Sequence, residues 1–562
     1  MALRLSTDQV LDQLSDSEDS SESDIDPGVL TTDESDSAES EEEDSAEEEQ
    51  PHGDGRGQAQ EKTTWSDTLK DPDITAFTEP TGPLHDLAPD ANPIDYFHLF
   101  IPPDMFQVMA DQTNLYAQQC QAKNGKTDKY WKPVTIDDIR KYLYMNIMFG
   151  VHWMPDYRLY WNKDNLLRVS AFADVFGRQR FEKIHQYFHL SDNSSMPARG
   201  EDGFDPLYKI RPLLDIVRNA CSAVYKPNRE ISVDEAMIKY KGRVGFRQFM
   251  PAKPIKYGIK VWCCAEAGTG YMLNFRFYTG KLNEPMREGL GHHVVLNTAA
   301  NYLDKSHFIF FDNYFSSLKL AEDCLARNTY TCATTRTNRK GWPFKTKKMK
   351  KGECNMKLSS TNVLAIEWED KKRVNILSTL SKTTTKEVTR RAKGGNVQVQ
   401  IPTAVLDYNQ FMNGVDLADQ HRSYYEVGRT GKKWWRYGVW FLVQIGIINS
   451  FLLYRHANPG ARRGDIAKQH LWFRIALMRN LLAGTAPRPS TSIQQSPSVH
   501  GRVTPSGEHK LVRLPGRKKC CFQCSKMKKK TESGRGVETV YGCLQCGIHI
   551  CKGHCFTDYH DH

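Results

Sequence analysis

The segment Ile309–Ser317 reads IFFDNYFSS, and Phe308 precedes it. Its short, continuous apolar run predicts a strand buried on both faces. The run ends in Asp312, and SSLKLAEDCLARN then opens a helical pattern. Asp312 therefore stands at the carboxyl end of a core strand, where open α/β sheets gather ligands and chemistry. A carboxylate there needs a partner, because burying a bare charge is costly. Capping of the following helix is the plain alternative. Two further acidic positions, one on each side in the sequence, favour chemistry.

Upstream, EISVDEAMIKYKG (230–242) places Asp234 and Glu235 after a short β-type stretch. YGIKVWCCAEAGTGYMLNFRFYTGK then predicts a hairpin around Gly268-Thr269-Gly270. Residues 284–304 are helix-like, and YTCATT after the Asp312 helix reads as a fifth strand. Three strands, helix, strand, helix, strand, with acids on the first and fourth strands, is the order of an α/β ribonuclease-H-like core, here 230–335. Residues 336–402, rich in Lys, Arg, Thr and Gly with β-prone pieces, read as a small β-rich insertion. The helix completing the core is expected at 403–425, where Asp416 and Asp419 are three apart and share a face. Asp234, Asp312 and Asp416 or Asp419, if converged, would hold two Mg²⁺ ions, with Mn²⁺ as a substitute. Hard cations take oxygen ligands, and a two-metal clamp stabilises both oxygens of a phosphodiester displacement.

The flanks read as a mainly helical domain in two parts, 86–229 and 426–483. TIDDIRKYLYMNIMFGVHW has Thr135 as N-cap, acids in the first turn and then an apolar face. Tyr142, Tyr144, Trp153, Tyr160 and Trp161 are expected in the core. The apolar run 437–454 is near the minimum length for a membrane span but contains Gln444, Asn449 and Ser450, so it is read as a buried helix with no membrane partner. Residues 484–515 form a Pro/Ser/Thr-rich linker.

Charge is unevenly spread. Residues 1–62 hold 21 Asp and Glu against 3 Lys and Arg, so the net +9 of the 562-residue chain divides into about −18 and about +27. The tail, bounded at 85 with 1–62 as its acidic part, is too polar to bury a core and is expected to be disordered. Ser15, Ser17 and Ser20 could be phosphorylated there, which makes a kinase a partner of the tail. The basic remainder points to nucleic acid. Lys253, Lys256 and Lys260 lie among aromatics after the first acid, and Arg336, Arg339 and Lys340 follow the fifth strand; these suit phosphate contacts. Trp434 could stack on a distorted DNA base or pack in the core. The N-terminus has no basic segment followed by an apolar one, so no secretory leader is expected.

Seven of the 14 cysteines lie in the last 43 residues. Cys521, Cys524, Cys543, Cys546, Cys551, His554, Cys555 and His560 give eight ligands, enough for two structural, tetrahedral Zn²⁺ ions in a cross-braced module at 516–562. The pairing is open, and His549, His562 or Cys520 could replace one of the eight. The flanking GRKK and KMKKK suit DNA or a nuclear import receptor.

The motifs SVDEAMIKYKGR, PAKPIKYGIKVWCC, GTGYMLNFRFYTG, FFDNYFSS, TRTNRKG and DYNQFMNGVDLADQ, with the terminal Cys/His module, resemble piggyBac-type DNA transposases and their domesticated derivatives over about residues 90–562. The resemblance implies that Asp234, Asp312 and Asp416 are catalytic acids, with Asp419 an additional one and Trp434 near the active site. It also implies a nuclear homodimer that binds double-stranded terminal repeats, in part through the zinc module. That dimer would cut through hairpin ends and insert at TTAA. Some relatives lack an equivalent of His554. A domesticated nuclear DNA-binding or chromatin protein without transposition is the alternative function.

Overall fold

A computed structural model describes residues 63–88, 90–164, 166–251, 253, 255–280, 287–345, 347–392, 395–429, 431–462, 465–485, 509–514, 517–543 and 546–560. The acidic segment 1–62 and most of the expected linker lie outside them. The chain divides into two compact units, meeting at Pro487/Arg488.

The first unit begins earlier than the expected boundary at 85. Strand β1 (Trp65–Ser66) pairs with residues 358–359, and β2 (Gly82–Pro83) pairs with β3 (Tyr225–Lys226). Arg229 donates to the Thr75 carbonyl at 2.6 Å, and the Trp65 indole donates to the Gly341 carbonyl at 3.1 Å. Apolar residues return to the sequence after Lys62, and with them the chain gains enough buried contact to order.

Helices α1 (Pro93–His98), α2 (Pro103–Asn124), α3 (Ile136–Val151), α4 (Arg178–Tyr187) and α5 (Arg211–Ala223) follow. Proline occupies the first position of α1 and α2, where its missing N–H costs nothing. Thr135 and Asp138 exchange backbone N–H bonds at 3.1 and 3.3 Å, closing a capping box on α3. Tyr142, Tyr144 and Tyr160 are buried and Trp161 is partly so, whereas Trp153 is 57 % exposed beyond the end of α3.

The central sheet is built on β4 (Glu230–Lys239), β5 (Arg247–Phe249), β6 (Tyr257–Glu266), β7 (Met272–Phe277), β8 (Phe308–Phe311) and β9 (Tyr330–Thr334). Strands β4, β8 and β9 run parallel in that order, and β6 lies antiparallel on the other side of β4. β7 and β5 both pair with β6. The β6–β7 hairpin turns at Gly270, whose φ of 73° suits glycine. Between β7 and β8 runs α6 (Leu290–Thr298), and between β8 and β9 runs α7 (Leu318–Ala326). The cap of α7 is Ser317, whose hydroxyl accepts the Leu320 N–H at 3.1 Å. Asp312 is thus released from the capping role.

The expected insertion is β-rich but is not a separate body. Strands β10 (Cys354–Ser359), β11 (Leu364–Glu369) and β12 (Arg373–Ser378) form a meander, and β12 pairs with β9, so the sheet continues to ten strands with β1 at its far edge. Only β13 (Thr385–Ala392) and β14 (Gly395–Pro402) leave it, as a two-stranded ribbon.

The single helix expected at 403–425 is two, α8 (Thr403–Phe411) and α9 (Gly414–Tyr424). The break lets Gly414 press onto the sheet. A Cβ there would stand 2.5 Å from the Ser232 hydroxyl and 2.9 Å from the Glu266 carbonyl.

Helix α10 (Trp434–Ala457) is long and apolar enough to cross a membrane, yet 89 % of its most apolar window is buried inside the unit. Gln444, Asn449 and Ser450 find partners there. Asn449 exchanges two bonds with the Met272 backbone at 2.9 and 3.0 Å, Gln444 donates to the Tyr425 carbonyl at 3.0 Å, and Ser450 donates to the Tyr96 carbonyl at 3.0 Å. Helix α11 (Ile466–Leu482) packs on α3 and α1.

The second unit is small. Strands β15 (Leu511–Arg513), β18 (Tyr541–Cys543) and β19 (Ile548–His549) form an antiparallel sheet, β16 (Lys519–Cys520) pairs with β17 (Glu538–Thr539), and helices α12 (Phe522–Lys526) and α13 (His554–His560) flank them. Its fold starts before the expected boundary at 516, because β15 is needed to pair with β18.

Candidate functional site: an acidic cluster and two thiol-rich metal sites

Val233 pairs with Phe311 across the parallel β4–β8 ladder. Asp234 and Asp312 therefore follow side by side, on strands about 4.8 Å apart. Asp234 is 5 % exposed. Burial pushes its carboxyl well above the carboxylate range; the charges of Glu235 and Asp312 push the same way, and Lys253 opposes them. Asp312 accepts the Tyr314 N–H at 2.9 Å. Burial and the Glu235 charge raise its carboxyl as well, against the N–H groups of Tyr314 and Phe315 and the charge of Lys253.

Helix α9 packs across β4 and β6 and brings the third group of acids. Asp416 is exposed and Asp419 partly buried. Burial raises Asp419, while Arg422, 3.0 Å away, and Lys253 hold it down. Arg422 is itself fixed by the Met237 carbonyl of β4 at 3.0 Å. The four acids thus share one electrostatic field, and Lys253 is common to it. Its ammonium lies 3.1 Å from Glu235 Oε1, and Asp234, Glu235 and Asp416 raise its pKa against burial.

Several of the sequence-derived DNA contacts are engaged inside the fold instead. Lys253 is tied to Glu235. Lys260 is 6 % exposed, with its ammonium 4.1 Å from the Trp262 ring centre and 4.9 Å from that of Tyr314. Alternation along β6 had no way of showing that aromatic seat. Trp434 is 8 % exposed and meets Phe246 edge-to-face, so it packs in the core. Arg339 donates to the carbonyls of Asn313 and Tyr314 at 3.0 and 2.8 Å, and Arg336 donates to the Asn313 side chain at 3.1 Å. These two arginines brace the turn that carries Asp312. Lys256, Arg336 and Lys340 are exposed.

Two residues at the cluster were given no role from the sequence. Glu235 is nearly buried beside both strand acids; its signal was only its adjacency to Asp234, and strict alternation would send it to the other face. Tyr408 on α8 has its phenol raised to about 12 by burial and by the charges of Asp312 and Asp234, against a bond to Thr334.

The donor set, all carboxylate, suits a hard divalent cation. It is looser than the second unit's sites: among the described residues, the groups with three or more donor atoms within 4.8 Å of one another are one of four Cys and one of two Cys and two His. Looser spacing suits Mg²⁺, which keeps several waters.

A pH-linked prediction arises here. Asp234 has a raised carboxyl in the folded state. Its favourable contribution is present below the unfolded value near 3.9 and is lost as pH rises through the folded one. At neutral pH without metal the ionised group is a burden. Asp234→Asn is expected to raise the melting temperature of the metal-free chain by about 1 °C per kcal/mol relieved, the scale for a unit of this size. Added Mg²⁺ should raise the native chain's melting point more at pH 8 than at pH 5, and leave the variant's nearly unchanged. A variant melting lower than the native chain at pH 8 without metal would contradict this.

Gly414 supplies a second prediction. The Cβ of Gly414→Ala would collide with Ser232 and Glu266, so α9 must shift at a cost of about 1–3 kcal/mol. Because Asp416 and Asp419 ride on α9, any DNA cleavage that uses these acids should fall further than the stability loss accounts for. Calorimetry and cleavage on one preparation would show it.

In the second unit the first metal group is Cys521, Cys524, Cys551 and Cys555; the second is His509, Cys543, Cys546 and His560. Their order along the chain alternates, as a cross-brace requires. Neighbouring donors are 3.3–3.5 Å apart at His509–Cys546, Cys546–His560 and Cys524–Cys555, the edge lengths of a tetrahedron on ~2.0–2.3 Å bonds. Burial raises the Cys521 thiol, but the N–H groups of Cys524 and Cys551, at 3.5 and 3.3 Å, hold it down to about 7. His560 Nδ1 lies 2.8 Å from the Phe556 carbonyl, which turns Nε2 toward Cys546.

His554 is a correction. It is exposed and belongs to neither group, because on α13 it faces away from Cys555 and His560. The eighth donor brought into the two groups is His509, in the stretch read as linker. Cys520 is exposed, His549 Nδ1 lies 3.2 Å from the Thr539 carbonyl, and His562 falls outside the described residues.

The sheet thus sets Asp234 of β4 beside Asp312 at the end of β8, a thiol-rich module that could hold metal follows in sequence, and a family model defines the class. The model described as "Transposase IS4" matches residues 92–451. Human PiggyBac transposable element-derived protein 3 is 25 % identical over 492 residues, covering 83 % of this chain and 76 % of its own. Human PiggyBac transposable element-derived protein 2 is 28 % identical over 401 residues, 68 % and 65 % of the two chains. A piggyBac transposase, in the cryo-EM structure of its synaptic complex with hairpin DNA, shares the fold with a TM-score of 0.62 at 21 % identity, covering 85 % of this chain and all of that one. The chain belongs to the piggyBac family of transposases.

Proposed function

We propose that this protein is a nuclear, homodimeric DNA transposase. It binds terminal inverted repeats, cleaves strands with divalent metal and transfers them to TTAA targets. One observation carries the reading. Asp312 follows the end of β8 beside Asp234, midway along the adjacent parallel strand β4, and Asp416 and Asp419 enter the same field from α9. The strand order β7-β6-β4-β8-β9, with β6 alone reversed, supports a ribonuclease-H-like core.

Asp234, Asp312, Asp416 and Asp419 would hold Mg²⁺ or Mn²⁺, which supplies Lewis acidity at the attacking and leaving oxygens of a phosphodiester. The chain's own part is orientation. Arg336 and Arg339 fix the Asp312 turn, Arg422 fixes Asp419 to β4, and Lys253 balances charge among the acids. Exposed Lys256, Arg336 and Lys340 are proposed to meet phosphates. Water serves as nucleophile in nicking, and the freed 3′-hydroxyl in the later steps. In the second unit, thiolate and imidazole donors suit two structural Zn²⁺ ions. That module is proposed to bind terminal repeats. The acidic tail remains the proposed substrate of a kinase.

The curated relatives are transposable element-derived proteins, which supports a second reading, a domesticated DNA-binding protein. The test places the nearest terminal repeats beside TTAA on an oligonucleotide, with protein and Mg²⁺. Nicks and hairpins are the result expected of a transposase. Tight binding without cleavage would instead establish the domesticated reading.

A further inference from the structure

The β13–β14 ribbon has two unlike faces. On one, Val388 and Val399 pack against the core formed around Trp368 and Ile366. Arg390 seals that face, 2.7 Å from Asp370 and with its guanidinium 5.5 Å from the Trp368 ring centre. On the other face Glu387 stands opposite Gln400, Thr389 opposite Gln398, and Arg391 opposite Asn396. All six are exposed. No apolar side chain is among them, and no hydrogen bond ties them to another element among the described residues.

Their chemistry is selective. Thr389 donates to Gln398 Oε1 at 2.9 Å, and Thr385 donates to Gln400 Oε1 at 3.3 Å. The two amides are thereby held along one strand by their oxygens, and neither NH₂ group has a hydrogen-bond partner among the described residues. Arginine pairs with guanine, Asn and Gln with adenine, and Glu with cytosine in the major groove. A two-stranded ribbon is narrow enough to enter that groove, which is about 12 Å wide. The charge is complementary as well: residues 336–402 hold 17 Lys and Arg against 5 Asp and Glu.

We propose that the outer face of β13–β14 enters the major groove of double-stranded DNA and reads base edges through Arg391, Asn396, Gln398 and Gln400. This rests on the reading above only in taking duplex DNA as the partner. The anchored inner face keeps the ribbon from bending away, so the row of side chains meets the groove preformed. Arg391 and Gln398 supply base discrimination, and the lysines around the ribbon supply the sequence-independent part.

The test is selection from a random double-stranded DNA pool by the full-length chain, loaded with zinc. The native chain should enrich a short motif that Arg391→Ala/Gln398→Ala no longer enriches. A single base change in that motif should weaken native binding about tenfold and the variant's less than twofold. Arg391→Lys keeps the charge but loses the two-pronged guanidinium. It should lose the preference at one position while binding random DNA as before, and it also guards against a double variant that fails to fold. An unchanged enriched motif in both variants overturns the proposal. So does a uniform loss of affinity with the preference intact, because that is the signature of phosphate contact alone. Cleavage is not read in this experiment. A chain that cleaves nothing but selects through its ribbon keeps this inference and ends the transposase reading; one that nicks terminal repeats with ribbon variants indifferent does the reverse.

Discussion

Cys521→Ser is expected to unfold residues 509–560 while the first unit keeps its melting transition. Among the described residues of the second unit, the buried apolar side chains are Cys521, Cys524, Cys543 and Ile550. Three of these four are metal ligands in the proposed site, so no core remains once the metal is lost. Structural zinc contributes about 10–16 kcal/mol to small zinc-binding peptides, whereas a domain this size has only a marginal core of its own. Serine keeps the volume of the thiol but not the thiolate. His509→Ala is expected to behave like Cys521→Ser, and His554→Ala like the native chain. Native mass spectrometry would count two zinc ions in the native chain and fewer in the first two variants. Limited proteolysis would then cut within 509–560 and spare the rest. If His554→Ala lost zinc and His509→Ala did not, the ligand assignment would be wrong. Loss of the first unit's transition in any of them would contradict the division into two units.

His509 also shows where sequence reading stopped. Two CxxC pairs announce a metal module, because that spacing has few other uses in a long chain. The remaining ligands come from separate turns, and only folding chooses among His509, His549, His554, His560 and His562. The strand ending at Asp312 was legible for the opposite reason: its signal is local, four apolar residues and a stop. The β6–β7 hairpin was legible from its Gly-Thr-Gly turn. Pairing of β12 with β9 was not, since nothing within either strand says that the inserted meander continues the same sheet. Nor was the break between α8 and α9, which answers to the closeness of Ser232 and Glu266 to Gly414. Lys260 was misread because charge in a strand usually means surface. Here Trp262 and Tyr314 give the ammonium an aromatic seat, and a cation held so is favoured by the ring quadrupoles.

Asp312→Asn carries the largest effect expected on activity. Asparagine fills the same volume, and its Oδ1 can accept the Tyr314 N–H that Asp312 accepts at 2.9 Å. Arg336 and Arg339 hold the following residues independently of that carboxylate, so the turn should keep its course. Removing the charge also relieves Asp234, whose carboxyl Asp312 helps to raise. The metal-free variant should therefore melt no lower than the native chain, and should bind DNA as tightly in the absence of Mg²⁺. Cleavage, by contrast, should fall by about four orders of magnitude, the scale at which losing one member of a catalytic set acts. The separation of these readouts is the point of the variant. A structural acid would lose stability and activity together; an acid that serves the reaction loses activity alone. Residual cleavage above a tenth of native would remove Asp312 from the catalytic set and leave Asp234, Glu235 and the α9 acids to account for it. Mn²⁺ offers a further check, since it tolerates softer and fewer carboxylate ligands than Mg²⁺. Partial rescue of Asp312→Asn by Mn²⁺, with none for the metal-free chain, would place the lost function at a metal ligand and not at a proton donor.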